Sequence, residues 1–287
     1  MHTVHYTGGD GLRLAAASGG EPGAPPVILL HGGGQTRHAW ARAARELVAE
    51  GYRVICPDAR GHGDSAWSPD GNYRLDGFAA DLRCIIATLD QPPVLVGASL
   101  GGGTALLVAG EDGPAAVRAL VLVDVVPRPE RAGVLNVFRF MGERLNGFAS
   151  LDEVAEAVAA YNPHRARQDS RAGLMKNLRR REDGRLYWHW DPKFIRPEYR
   201  LDPEEYATRL EAAARKVHVP SLLVRGGLSD IVSVEAALEL QRTLPGCELV
   251  DVAGAGHMVA GDRNDAFNQA IREFLRRHVP RSSTAAA

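Results

Sequence analysis

The sequence predicts an α/β fold, a mostly parallel sheet with helices on both faces. Short, wholly apolar runs such as Val27-Ile28-Leu29-Leu30 alternate along the chain with amphipathic stretches of helical period. Strands that read as continuous apolar runs are buried on both faces, the situation of a parallel sheet covered by its crossover helices. At 287 residues, 45% hydrophobic and 24% charged, the chain is long enough for one large domain carrying an insertion, with ordinary globular composition.

Taken in order, the residues up to about Ala17 alternate polar and apolar and predict two strands forming an antiparallel edge. Val27–Leu30 is a buried strand, followed by a helical stretch from about Thr36 to Glu50. Tyr52–Pro57 is strand-like, and Leu75–Leu89 is a helix, with Phe78, Leu82, Ile85, Ile86 and Leu89 at helical spacing. Pro93–Gly97 (strand), Leu100–Ala109 (helix) and Val117–Val123 (strand) follow. Between Pro127 and about Arg215 the rhythm breaks into helical stretches near Glu130–Leu145, Leu151–Tyr161, Ser170–Arg181 and Pro203–Lys216, with the aromatic cluster Tyr187-Trp188-His189-Trp190. It then resumes with Ser221–Val224 (strand), Val234–Leu244 (helix), Cys247–Val252 (strand) and Asp265–His278 (helix). This divides the chain into a core of residues 1–126 and 216–280, a helical cap over 127–215, and a tail, 281–287, expected to be disordered.

Composition removes several function classes. A net charge of −1 gives no global field toward nucleic acid or anionic membrane. No apolar run approaches the roughly 18–20 residues of a membrane-spanning helix, and the N-terminus lacks the pattern of a secretory signal. Cys56, Cys84 and Cys247 are scattered in apolar contexts suited to reduced thiols, and no C-x-x-C or H-E-x-x-H pattern occurs. The expectation is a cytoplasmic protein without metal or cofactor, monomeric or homodimeric, whose partner is a small molecule.

Gly97-Ala-Ser-Leu-Gly101 fits G-x-S-x-G, with a strand entering and a helix leaving. That setting lifts a serine hydroxyl above a sheet and points helix N-terminal amides at it, where an ordinary glycine-rich turn would do neither. A hydroxyl needs a base to become a nucleophile. His257, in Gly254-Ala-Gly-His257 just past the last strand, is the best placed of the ten histidines. The base needs an orienting carboxylate. Asp230, after the strand Ser221–Val224, is the preferred candidate, and Asp124, ending the strand Leu120–Val123, the alternative. His31-Gly32-Gly33-Gly34 follows the first buried strand, and its bare amides would serve as oxyanion donors: Gly33 together with Leu100, or else Gly34. His31 itself reads as a structural hydrogen-bonder.

Five motifs, His31–Gly34, Asp58-Ala-Arg-Gly-His-Gly-Asp-Ser65, Gly97–Gly101, Gly227-Leu-Ser-Asp230 and Gly256-His257, resemble those of the α/β-hydrolase superfamily in order and over essentially the whole chain. The resemblance implies a sheet of about eight strands with a helical cap between the sixth and seventh, a layout the strand count supports independently. It also implies a serine hydrolase acting on a carboxylic ester or lactone. Similar scaffolds act as acyltransferases, perhydrolases, carbon–carbon bond hydrolases or slow ligand sensors, and these stay open. Some lactonase-like members carry the acid after the sixth strand, which keeps Asp124 in play. Relatives of the epoxide hydrolase kind use an aspartate nucleophile, against which Ser99 argues. Phe138, Phe140, Met141, Trp188 and Trp190, with Trp40 a weaker candidate, are the expected substrate walls. The basic cluster Arg165, Arg167, Arg171, Lys176, Arg179, Arg180 and Arg181 is read as a solvated face before an anion site.

Overall fold

Every residue of Pro26–Leu30 is buried, and this run forms β3, an inner strand of the sheet. In the computed structural model of the chain, residues 1–161, 171–196, 198, 202–257 and 264–279 are described, without the side chains of 171, 172 and 264. His164, Arg165, Arg167, the Arg171 side chain and the tail 281–287 lie outside them.

The strands are β1 (His2–Thr7), β2 (Arg13–Gly19), β3, β4 (Arg53–Pro57), β5 (Val94–Ala98), β6 (Ala119–Val123), β9 (Ser221–Gly226) and β10 (Glu248–Val252). They form one eight-stranded sheet in the order β1-β2-β4-β3-β5-β6-β9-β10. The β1–β2 and β2–β4 pairs are antiparallel and the rest parallel, with Val27 beside Val94 and Val94 beside Ala119. Alternation along each strand sorts the core into two layers. Val27, Leu29, Val94, Val96, Val121 and Val123 face α1 (Ala41–Ala49) and α9 (Asn264–His278), where Leu47, Phe267 and Phe274 fill the layer. Ile28, Leu30, Leu95, Leu120 and Leu122 face α2 (Leu75–Ile86), α3 (Leu100–Asp112) and α8 (Val234–Thr243). Each aliphatic side chain buried there contributes about 1.5–3 kcal/mol, so slipping one strand by a residue would exchange the two layers at large cost.

Between β6 and β9 the chain makes an insertion with α4 (Arg131–Gly142), α5 (Leu151–Tyr161), α6 (Arg171–Met175), β7 (Leu178–Arg180), β8 (Leu186–Trp188) and α7 (Pro203–Ala214). Two expectations change here. The stretch Ser170–Arg181 is not one helix: α6 is short, and β7 pairs with β8 as an antiparallel hairpin closed by Arg181–Gly184. The last helix of the expected cap, α7, belongs to the core's own helical layer. Leu210, Ala213 and Ala214, three to four residues apart, pack in the same cluster as Leu106 and Leu107 of α3. Its start is set by Asp202, whose carboxylate accepts from the Glu204 and Glu205 amides, with Pro203 at the first helical position. The rest of the insertion supplies Met141, Phe148, Trp188, Trp190 and Phe194 to a third apolar cluster, which it shares with Tyr73 and Phe78 of the core. No helix among the described residues is long and apolar enough to cross a membrane.

Candidate active site

Ser99 is the single residue between β5 and α3, with φ 46° and ψ −113°. A non-glycine residue held there costs on the order of 1–3 kcal/mol, which the surroundings must offset. Gly97 and Gly101 make the turn possible: a Cβ on Gly97 would lie 2.3 Å from the Gly101 carbonyl oxygen, and one on Gly101 2.5 Å from that of Leu30. The Ser99 amide donates to the Val123 carbonyl at 3.1 Å, and its own carbonyl accepts from Gly103 at 2.9 Å. The strained turn is thus fastened to β6 on one side and to α3 on the other.

The residue after Val123 is Asp124, 1% exposed and itself at φ 47°. Its Oδ1 accepts from the Gly226 amide at 2.9 Å, and its Oδ2 from Ser229 Oγ at 2.6 Å and from His257 Nδ1 at 2.7 Å. The carboxylate bonded to His257 is therefore Asp124, and the preference for Asp230 is corrected. Asp230 is exposed, and its backbone carbonyl packs against Gly133 of α4. The loop after β9 turns Ser229 inward instead, where Oγ also accepts from the Ile231 and Val232 amides. Nδ1 donates to the carboxylate, so a neutral ring leaves Nε2 as the acceptor, the tautomer a general base needs. Among the described residues no hydrogen bond joins Ser99 Oγ to this imidazole; such contacts often tighten only when substrate is bound.

The loop after β3 approaches the serine closely: a Cβ on Gly32 would lie 3.5 Å from Ser99 Cβ. Its three amides differ in use. Gly32 donates to Gln35 Oε1 at 3.0 Å, and Gly34 to His62 Nε2 at 3.1 Å, which takes Gly34 out of the donor set. No hydrogen bond among the described residues engages the Gly33 or Leu100 amide.

Three buried histidines hold this loop. His31 Nδ1 donates to the Gly32 carbonyl and Nε2 accepts from Ala59, the structural role its sequence setting implies. His62 Nδ1 donates to the Arg60 carbonyl at 3.0 Å, and Nε2 accepts from Gly34. His189 Nδ1 accepts from Gly63 at 2.7 Å, and Nε2 donates to the Gly34 carbonyl at 3.4 Å. Burial, then the neighbouring His31, pushes His62 down to about 3, and burial likewise holds His189 well below the usual histidine range. Beneath them Asp58 accepts from the Arg37 and Asp64 amides and pairs with the Arg37 guanidinium, while Arg60 pairs with Asp81 through two 2.7 Å bonds.

The apolar wall comes from the insertion. A Cβ on Gly33 would lie 3.3 Å from the Phe194 ring, and one on Gly34 would lie 3.1 Å from Met141 Cε and 3.4 Å from the Trp190 ring. Trp190 stacks on Trp188 at 4.9 Å, Trp188 meets Phe140 at 5.5 Å, and Phe140 stacks on Tyr161 at 4.2 Å. Phe138 is half-buried on α4. Trp40 is 1% exposed in the core layer beside Phe267, so it is no part of this wall. Phe194, Ser229, His62 and Tyr161 are the residues that sequence reasoning passed over. Phe194 lies in a four-residue turn, Pro192–Ile195, too short to show a period.

Comparison with known proteins bears on the fold. A family model described as the alpha/beta hydrolase fold matches residues 25–263. The chain is 32% identical over 265 residues to an esterase of Mycobacterium tuberculosis, covering 88% of this chain and 83% of that protein. It is 30% identical to a 3-hydroxybutyrate-oligomer hydrolase of Cupriavidus necator, covering 85% of this chain and 87% of that one. The crystal structure of an α/β hydrolase from Novosphingobium aromaticivorans superposes with a TM-score of 0.82 at 27% identity, over 96% of this chain and 98% of the other.

Proposed function

The chain belongs to the α/β-hydrolase fold family, and from that premise we propose that it is a serine hydrolase cleaving a carboxylic ester or lactone of a small to mid-sized, partly apolar substrate. The observation that carries this reading is the 2.7 Å hydrogen bond from His257 Nδ1 to the buried Asp124 carboxylate, one residue along β6 from the carbonyl that anchors the Ser99 turn. The relatives named as an esterase and an oligomer hydrolase support ester cleavage as the reaction class.

Ser99 Oγ attacks the substrate carbonyl carbon as its proton passes to His257 Nε2. Asp124 keeps the ring oriented and offsets the positive charge it gains. The carbonyl oxygen, now anionic, takes hydrogen bonds from the Gly33 and Leu100 amides. His257 then protonates the leaving alkoxide, releasing an alcohol, or the hydroxyl end of an opened lactone, and leaving an acyl group on Ser99. Water attacks that acyl group, gives its proton to His257, and the acid departs as the serine recovers its own. Met141, Trp188, Trp190 and Phe194, with Phe140 and Phe138 on α4, line the apolar side of the substrate.

The test is steady-state turnover of p-nitrophenyl esters of graded chain length and of lactones, read beside Ser99→Ala. Many turnovers by the wild type and a loss of about 10⁴–10⁶ in kcat for the variant are expected. Near-wild-type turnover by Ser99→Ala overturns the mechanism, and a single stoichiometric acylation without turnover overturns the assignment as a hydrolase.

A further inference from the structure

The basic cluster of the insertion does not act as one face. Arg180 donates to the Gly184 carbonyl, and the Arg181 guanidinium lies 3.9 Å over the Tyr187 ring, both on the outside of the hairpin. Lys176 and Arg179 instead meet the core where α6 and β7 approach the loops after β3 and β4. There, with Thr36, Arg37, His38 and Asp64, they line a cavity of about 190 Å³. Liquid water takes roughly 30 Å³ per molecule, so the space holds several waters or one polyatomic ion. Ser99, Asp124, His257, Gly33 and Leu100 are absent from its lining.

The charges around this cavity do not cancel. Arg37 is occupied by Asp58 and Asp64, both within hydrogen-bond reach of its guanidinium. Arg179 donates one N–H to the Gly63 carbonyl and lies over the Trp67 ring. Lys176 is exposed and has no ion pair among the described residues. The lining thus carries three cations and one carboxylate, Asp64; with the buried Asp58 behind Arg37 counted as the second anion, one positive charge is left over.

We propose that this cavity binds a small oxyanion, a phosphate or carboxylate group, between the Lys176 ammonium and the Arg179 guanidinium. Asp64, already engaged by Arg37, sets its outer rim. The site is separate from the one that holds Ser99, and its occupancy does not depend on the proposed hydrolase reaction.

Calorimetric titration of the intact protein with inorganic phosphate, and separately with succinate, at constant ionic strength tests this. Saturable binding of at least one anion is expected, about tenfold weaker in Lys176→Ala, the worth of one charge-assisted hydrogen bond. Phosphate alone binding identifies a phosphoryl ligand; succinate alone identifies a carboxylate. Ser99→Ala binds as the wild type does. Saturable binding of neither anion, equal affinity in Lys176→Ala, or loss of binding in Ser99→Ala overturns the proposal. Lys176 is exposed, so its removal is read without loss of folding.

Discussion

Asp124 places three hydrogen bonds on two carboxylate oxygens, from a backbone amide, a serine hydroxyl and an imidazole, while 1% exposed. A carboxamide at this position keeps the shape, but if its NH2 faces His257 it favours the tautomer with the proton on the wrong nitrogen. Asp124→Asn is therefore expected to lower kcat by about 10⁴, whereas Asp230→Asn, an exposed change, leaves it within about threefold of wild type. Steady-state kinetics on p-nitrophenyl acetate decide between them, and equal losses would sink the assignment. Sequence nominates Ser99, His257, Gly33 and Leu100 for their roles because each sits at a fixed offset from a strand end or a glycine motif. It does not pick the carboxylate that bonds His257. Both aspartates follow apolar strands, and the choice rests on which side chain of the Gly227–Asp230 loop turns inward, a matter of loop path that periodicity does not encode. Ser229 took the inward place.

At the scale of elements, the alternating strands and helices of the core were legible because their apolar patterns are dictated by burial on two faces. The β7–β8 hairpin was not. Leu174 and Leu178 are four residues apart, which fits a helix face, yet Asp183-Gly184, with Gly184 at φ 76°, is a hairpin turn signal that outweighs it. The Ser99 turn is the element where sequence and geometry constrain each other most tightly. A methyl group on Gly97 would meet the Gly101 carbonyl oxygen at 2.3 Å and the Gly102 amide nitrogen at 2.6 Å, backbone atoms that cannot swing aside as a side chain can. Gly97→Ala is expected to destabilise the fold by about 1–3 kcal/mol, read as a lower urea midpoint at unchanged slope. A wild-type midpoint would mean that α3 can shift away from β5.

Across the whole molecule, the buried histidines couple folding to acidity. His62 is neutral in the fold, held down to about 3 by burial and by His31, while an unfolded histidine titrates near 6.5. Above pH 6.5 neither state binds the proton and stability is unaffected. Between 6.5 and 3 the unfolded chain takes up a proton that the folded chain refuses, so stability falls as pH falls, by up to about 1.4 kcal/mol per unit. His31 and His189, also lowered by burial, act with the same sign. His62→Gln retains an acceptor for the Gly34 amide without titrating. Urea unfolding at pH 7, 5.5 and 4.5 is expected to give a shallower decline for the variant, and parallel declines would exclude this account. The same neighbourhood ties the stretch after β8 to the loops after β3 and β4. His189 is bonded to Gly63 and Gly34, and Asp191 to the Tyr73 hydroxyl and the Gly61 carbonyl. Swinging that stretch outward would break all of these together, at roughly 0.5–1.5 kcal/mol each, and would release the peptide beside Gly33. The residues after β8 therefore behave as masonry and not as a door.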